Sequence, residues 1–186
     1  MNIVKSLSLW FGIALLTIAL DQWTKIIATE HLECANPTTN QLCYYEREDK
    51  ALVLTSWFKF RLAHNEGAAF SFLDNAGGWQ KYLFSILAIT VSLLLIAWIA
   101  RMTMRGDKGR WCELLALSLI LGGAIGNVYD RITLGYVIDF IVWHYQDHYF
   151  PTFNVADSAI CTGAGLLIFD MIFLQRKSNH STVTES

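Results

Sequence analysis

The chain has 186 residues, of which 54% are hydrophobic and only 16% charged, with a formal net charge of −2 and a positive mean hydropathy. That balance fits a small polytopic membrane protein better than a soluble one, and the sequence shows no basic patch of the kind nucleic-acid binding needs. No tandem repeat or low-complexity tract divides the chain, so it reads as one membrane-embedded domain over residues 1–186.

The first predicted element is a helix over 6–28, whose apolar run from Ser6 to Leu20 continues through Asp21 and Lys25. Lys5 ahead of an apolar core resembles a signal peptide. The core is long, however, and no small-x-small cleavage site follows, so the segment is read as a retained span. Asp21 and Lys25 stand four residues apart on one helix face, where they can neutralise each other at the outer end.

An extracytoplasmic segment is expected over 29–78. Ala51 to His64 alternates well enough for a strand, with Phe58, Phe60 and Leu62 on one face and Trp57, Lys59 and Arg61 on the other. A small sheet at the membrane edge follows from that pattern. Cys34 and Cys43 lie in this segment, on the oxidising side, where a disulfide or two free thiols are both open readings. Cys112 and Cys161 sit in apolar helices and read as packing residues. None of the four cysteines has metal-ligand spacing, and no metal or cofactor is expected.

The second and third helices are predicted over 79–100 and 111–129, joined by a short loop at 101–110. A second outer segment, 130–155, carries the aromatic stretch Trp143 to Pro151, suited to the headgroup layer. The fourth helix is predicted over 156–175 and the tail 177–186 as disordered. Spans of this length cross about 30 Å of hydrocarbon with modest extension or tilt. Lys5, the cluster Arg101, Arg105, Lys108 and Arg110, and the pair Arg176 and Lys177 all fall on one side. The positive-inside rule therefore puts both termini in the cytoplasm and the two long segments outside. Trp10, Trp23, Trp79, Trp98 and Trp111 lie near predicted span ends, as interfacial aromatics should.

Asp139 follows the third hydrophobic segment and Asp157 opens the fourth, so both carboxylates return to the same bilayer edge. Either acid alone reads equally well as a helix cap or an ion-pair partner. A close pair that cannot both ionise is different: one member can take a proton from water while the other supplies one. Asn127, Arg131 and Asn154 are polar neighbours suited to hold a carboxylate or a peptide backbone. Arg131 can alternatively pair with Asp130 or Asp139. Gly122, Gly123 and Gly126 thin one face of the third helix for close packing in lipid. Asn65 and Gly67 belong to a turn whose amide can reach a substrate. His64, His144 and His148 match no nucleophile pattern, and Asp170, in the inner half of the fourth helix, needs a polar partner.

The blocks DQWTK (21–25), NEGAAFS (65–71), GGAIGNVYDR with GYVIDF (122–140) and FNVADSAI (153–160), in this order, resemble the type II signal peptidases of bacteria. The resemblance implies an inner-membrane aspartic endopeptidase with its active site toward the periplasm. Its substrates would be prolipoproteins already carrying a diacylglyceryl group, cut before the lipidated cysteine. By motif, Asp139 and Asp157 match the catalytic dyad. Asn65, Gly67, Gly123, Asn127, Arg131, Asn154 and Ala156 match substrate-binding or site-supporting positions, and Asp21 and Lys25 a structural pair. Membrane lipids and globomycin-type cyclic peptide inhibitors are further partners the resemblance implies. A single four-helix unit contains every residue required, so a monomer is expected. The alternative from another class is a small proton-coupled transporter with Asp139, Asp157 and Asp170 as relay groups, although no repeated halves are visible.

Overall fold

Each of the four apolar stretches folds as a helix, because in hydrocarbon the backbone must satisfy its own hydrogen bonds. The computed structural model describes residues 3–32, 51–67, 79–106, 109–146 and 148–174. The elements in chain order are α1 (Ile3–Leu32), β1 (Leu52–Thr55), β2 (Phe58–Asn65), α2 (Gln80–Arg105), α3 (Trp111–Thr133), β3 (Val137–Tyr145), β4 (His148–Tyr149) and α4 (Val155–Phe169). A π-helical turn, Asp170–Leu174, continues α4, and all four helices are long and apolar enough to span a membrane. The expected class, four spanning helices with a small sheet, is the one observed.

Helix α3 is the hub. In its apolar window 72% of residues are buried inside the protein, against 11–17% for the other three spans. Those three turn residues such as Leu15, Leu16, Ile86, Leu94 and Ile168 outward. In water such a surface would drive association; in a bilayer it is the face that lipid covers. Lipid supplies no hydrophobic force between helices, so close approach through small residues has to hold them together. Gly122 lies against Thr17 and the Ala14 carbonyl of α1, and Gly163 of α4 lies against the Ala116 carbonyl of α3. Trp10, Ala14, Leu95, Ile99, Leu117 and Leu121 fill the space between α1, α2 and α3. Trp10 is thus a core residue and not an interfacial anchor, whereas Trp23, Trp79, Trp98 and Trp111 are each at least half exposed.

The strands form one antiparallel sheet in the order β1-β2-β3-β4. The alternating run at 51–64 breaks at Ser56 and Trp57 into a hairpin, so Trp57 occupies a turn and not the middle of a strand. With its 30 residues, α1 is about 45 Å long and outlasts the hydrocarbon core. Its last turns present Ala28 and Leu32 to Ile138 and Phe140 of β3, with Phe60 and Leu62 of β2 packed alongside. This contact fastens the sheet to the end of the bundle. Helix α3 runs four residues past its expected end, so Asp130 and Arg131 are helical and not part of a loop. Cys34, Cys43, Phe70 and the tail lie outside the described residues.

Candidate active site

Three elements converge where β3 leaves α3 and α4 begins. Asp139 is the third residue of β3 and is buried, because α1 covers one side of the strand and the N-terminus of α4 the other. Asp157 sits in the first turn of α4 and is half-buried. It is not the N-cap. Asn154 takes that place: its Oδ1 accepts the Asp157 N–H at 2.9 Å, and Asp157 Oδ2 accepts the Asn154 N–H at 3.1 Å. This reciprocal capping box holds the Asp157 carboxylate at the positive end of the helix.

Asn154 also joins the two acids. Its Nδ2 donates to Asp139 Oδ1 at 2.7 Å. The other Asp139 oxygen accepts from Asn65 Nδ2 at 3.0 Å, across the β2–β3 pairing. Asn65 is held in turn by the Gly67 N–H, which donates to its Oδ1 at 3.0 Å. On the far side, Asn127 Nδ2 donates to Asp157 Oδ1 at 2.8 Å. Every carboxylate oxygen of the pair therefore has a fixed amide donor. The Asp139 carboxyl is nonetheless pushed up to about 7, first because burial removes its water and second because of the negative charge of Asp157. The Asn65 hydrogen bond, the Lys25 charge and the Asn154 hydrogen bond oppose that rise in decreasing order. One proton shared between two carboxyls near neutral pH is what water activation requires.

Beneath the pair lies a second polar layer, buried between α1 and α3. Lys25 Nζ reaches Asp21 at 2.8 Å, Asp130 at 2.7 Å and Asn127 Oδ1 at 3.1 Å. Asp21 Oδ1 accepts the Ala156 N–H at 2.9 Å, which ties α1 to the first turn of α4. A Cβ on Gly126 would stand 2.6 Å from Asp21 Oδ2, so that glycine leaves room for the carboxylate. Gly123 gives the same room to the Ala156 carbonyl. Arg131 does not pair with Asp130, which is taken by Lys25. Its guanidinium donates to the Gly67 carbonyl at 3.1 Å and the Asn127 carbonyl at 3.4 Å, clasping the end of β2 to α3.

Two members of this layer have no role that the sequence pattern assigns. Asp130 reads there only as a competing partner for Arg131, and Gln22 does not stand out. Gln22 Nε2 donates to Asp130 Oδ1 at 2.8 Å and lies 3.2 Å from Asp21 Oδ2. An amide beside an acid in an apolar helix is the signal that points to it. Asp170, in contrast, is buried at the start of the π-helical turn and belongs to the opposite end of α4. Among the described residues, no group of histidines, cysteines and acids has the arrangement of a metal site.

The chain resembles known proteins along most of its length. The family model described as Signal peptidase (SPase) II matches residues 13–173. A lipoprotein signal peptidase of Teredinibacter turnerae is 49% identical over 173 residues, covering 93% of this chain and 92% of the relative. One from Acinetobacter baumannii is 48% identical over 169 residues, covering 91% and 86%. A solved bacterial membrane enzyme superposes with a TM-score of 0.68 at 26% identity, covering 92% of this chain and 91% of that one.

Proposed function

Because the chain belongs to the signal peptidase II family, we propose that Asp139 and Asp157 are its catalytic dyad. The protein is an aspartic endopeptidase of the bacterial membrane and removes signal peptides from prolipoproteins. The proton-coupled transporter alternative has no support in these relationships. The observation that carries the dyad is the shared clamp: one residue, Asn154, holds an oxygen of each carboxylate through its side-chain and backbone N–H groups.

In the proposed reaction Asp157 is the ionised member and Asp139 the protonated one. Water attacks the scissile carbonyl carbon and gives its proton to Asp157, while Asp139 donates its own to the developing oxyanion. The tetrahedral intermediate then collapses: the C–N bond breaks, the amine leaves with the proton held by Asp157, and Asp139 recovers its proton from the carbonyl oxygen. Asn65 and Asn154 hold Asp139 during these transfers, and Arg131 with Gly67 holds the backbone beside it.

The finer reading of substrate and orientation rests on where these groups stand. The dyad lies where the spans meet the sheet, so a diacylglyceryl-modified cysteine can keep its acyl chains in lipid while its peptide bond reaches the two acids. Arg101, Arg105 and Arg110 at the opposite end of α2 and α3 support a cytoplasmic face there, and with it a dyad toward the periplasm and both termini inside. Trp57, Trp143, Tyr145, Tyr149 and Phe150 are all exposed at the tip of the sheet, a composition suited to the lipid headgroup layer. Globomycin-type cyclic peptides would inhibit by occupying the dyad, and one copy of the chain suffices for the chemistry.

The test is cleavage by the purified protein of a prolipoprotein with and without its diacylglyceryl group. Cleavage of the modified form alone is expected. Equal cleavage of both would remove the lipid from the recognition. The same assay read against pH checks the proton assignment. Asp139 has to be protonated to act as acid, and it loses that proton as pH rises through about 7. The rate constant kcat/KM should therefore fall toward about tenfold per pH unit on the alkaline side. A profile flat to about pH 9 would be incompatible with Asp139 as the acid.

A further inference from the structure

Lys25 has a role in the chemistry that its burial in an ion cluster conceals. An ammonium group has three N–H donors and no acceptor. Here all three have acceptors: Asp21 at 2.8 Å, Asp130 at 2.7 Å and Asn127 Oδ1 at 3.1 Å. An asparagine amide can in principle turn over and exchange its oxygen and nitrogen. Asn127 cannot, because the atom facing Lys25 has to be an acceptor. Its Oδ1 also accepts from Asn154 Nδ2 at 3.1 Å, so both lone pairs are committed. The NH2 group is then forced toward Asp157, 2.8 Å away.

We propose that Lys25 is a positioning residue of the dyad: with Asn154 it locks the amide of Asn127, so that an N–H donor always faces Asp157 and favours the ionised form of that carboxylate. This rests on the dyad reading above. A donor that cannot become an acceptor stabilises a carboxylate and penalises its protonation. Asp130 and Gln22 support the lock from behind, since Gln22 Nε2 and the Ile138 N–H hold Asp130 against Lys25. The charged and titratable groups around Asp157 are Asp139 on β3, Asp130 and Arg131 on α3, and Asp21 and Lys25 on α1. His64 and Glu66 flank Asn65 beside them.

Lys25→Met alone leaves Asp21 and Asp130 without their cation and is expected to fold poorly. The informative variant is Lys25→Met with Asp130→Asn. It removes one positive and one negative charge, so the formal charge of the cluster is unchanged while the donor to Asn127 is lost. The pH profile of prolipoprotein cleavage is then measured beside Asp139→Asn and Asp157→Asn. With Asn127 held only by the Asn154 NH2, which it shares with Asp139 and the Ile138 carbonyl, the acidic limb of the profile should move up by about one pH unit, and kcat should drop about tenfold. A purely structural role lowers the amplitude and leaves the limbs in place, and that result would overturn the proposal. Carboxyl 13C shifts of the wild-type protein, assigned with the two asparagine variants, need no change at Lys25. Below neutral pH they should show Asp157 ionised, and a protonated Asp157 would also overturn it. Should both asparagine variants still cleave, it is the dyad itself that fails, and the Lys25 experiment tells the two failures apart.

Discussion

Asp139→Asn and Asp157→Asn should each lower prolipoprotein cleavage by roughly 10²–10⁴-fold while the protein stays folded. An asparagine keeps the shape of the side chain but cannot take or give the proton, so the pair can no longer divide the two tasks. Each substitution also carries a structural cost. At 139 both oxygens accept from amide NH2 groups, Asn65 and Asn154, so a new NH2 there faces a donor whichever way it turns. One hydrogen bond is lost, at about 1–3 kcal/mol. At 157 the oxygens likewise accept from Asn127 Nδ2 and the Asn154 N–H, so one hydrogen bond is lost there too, while the helix cap held by Asn154 Oδ1 survives. Thermal melting in the same detergent separates lost chemistry from lost fold. Full cleavage by either folded variant would remove that aspartate from the mechanism.

The second large effect is expected at a residue with no functional group. Gly123→Ala puts a Cβ against the backbone carbonyl of Ala156, with Ile160 close beside it. A backbone carbonyl cannot swing aside as a flexible side chain does. Ala156 is fully buried, and its N–H is tied to Asp21, so relief has to come from displacing the first turn of α4. Asp157 is the next residue and would move with it. Overpacking of this kind costs about 1–3 kcal/mol. A displacement near 1 Å in a catalytic group costs about 10²-fold in rate. Gly165→Ala, in α4, is the control: no atom lies near the added Cβ. It should leave cleavage unchanged and raise helix stability by up to about 1 kcal/mol. Equal activity of the two alanine variants would mean that α3 and α4 can separate without disturbing the dyad.

Much of the fold is legible in the amino-acid sequence, because a bilayer imposes one-dimensional rules. A helix that crosses lipid shows itself as an uninterrupted apolar run, and basic residues report its orientation. Acids in such a setting stand out for the same reason, which is why Asp139, Asp157, Asp21 and Lys25 can be named from their positions alone. The polar neighbours Asn65, Asn127, Arg131 and Asn154 can be named beside them, and the family blocks add Ala156. Trp10 illustrates the limit of these rules. Its position near a predicted span end suggests an interfacial anchor, yet α2 and α3 cover it, and no single-helix pattern carries that information. The hairpin at Ser56 and Trp57 leaves no mark in the alternation, because the turn contains neither glycine nor proline.

Residue chemistry read along the chain dictates the environment of each segment: which stretches enter lipid, which stay outside, and which polar groups are too costly to be accidental. These are transfer energies of individual residues, and they can be read locally. Which atoms meet depends on the packed helices and sheet. Lys25 pairs with Asp130 as well as with its neighbour Asp21, Ala156 donates to Asp21, and Asn65 reaches Asp139 across the β2–β3 register. The contacts of Lys25 with Asp130, Ala156 with Asp21 and Asn65 with Asp139 join segments far apart in the chain, and Gly123 and Gly126 of α3 leave the room that Ala156 and Asp21 occupy. A hydrogen bond is lost within a fraction of an ångström. The direction in which Asn127 points therefore exists only once the helices have packed.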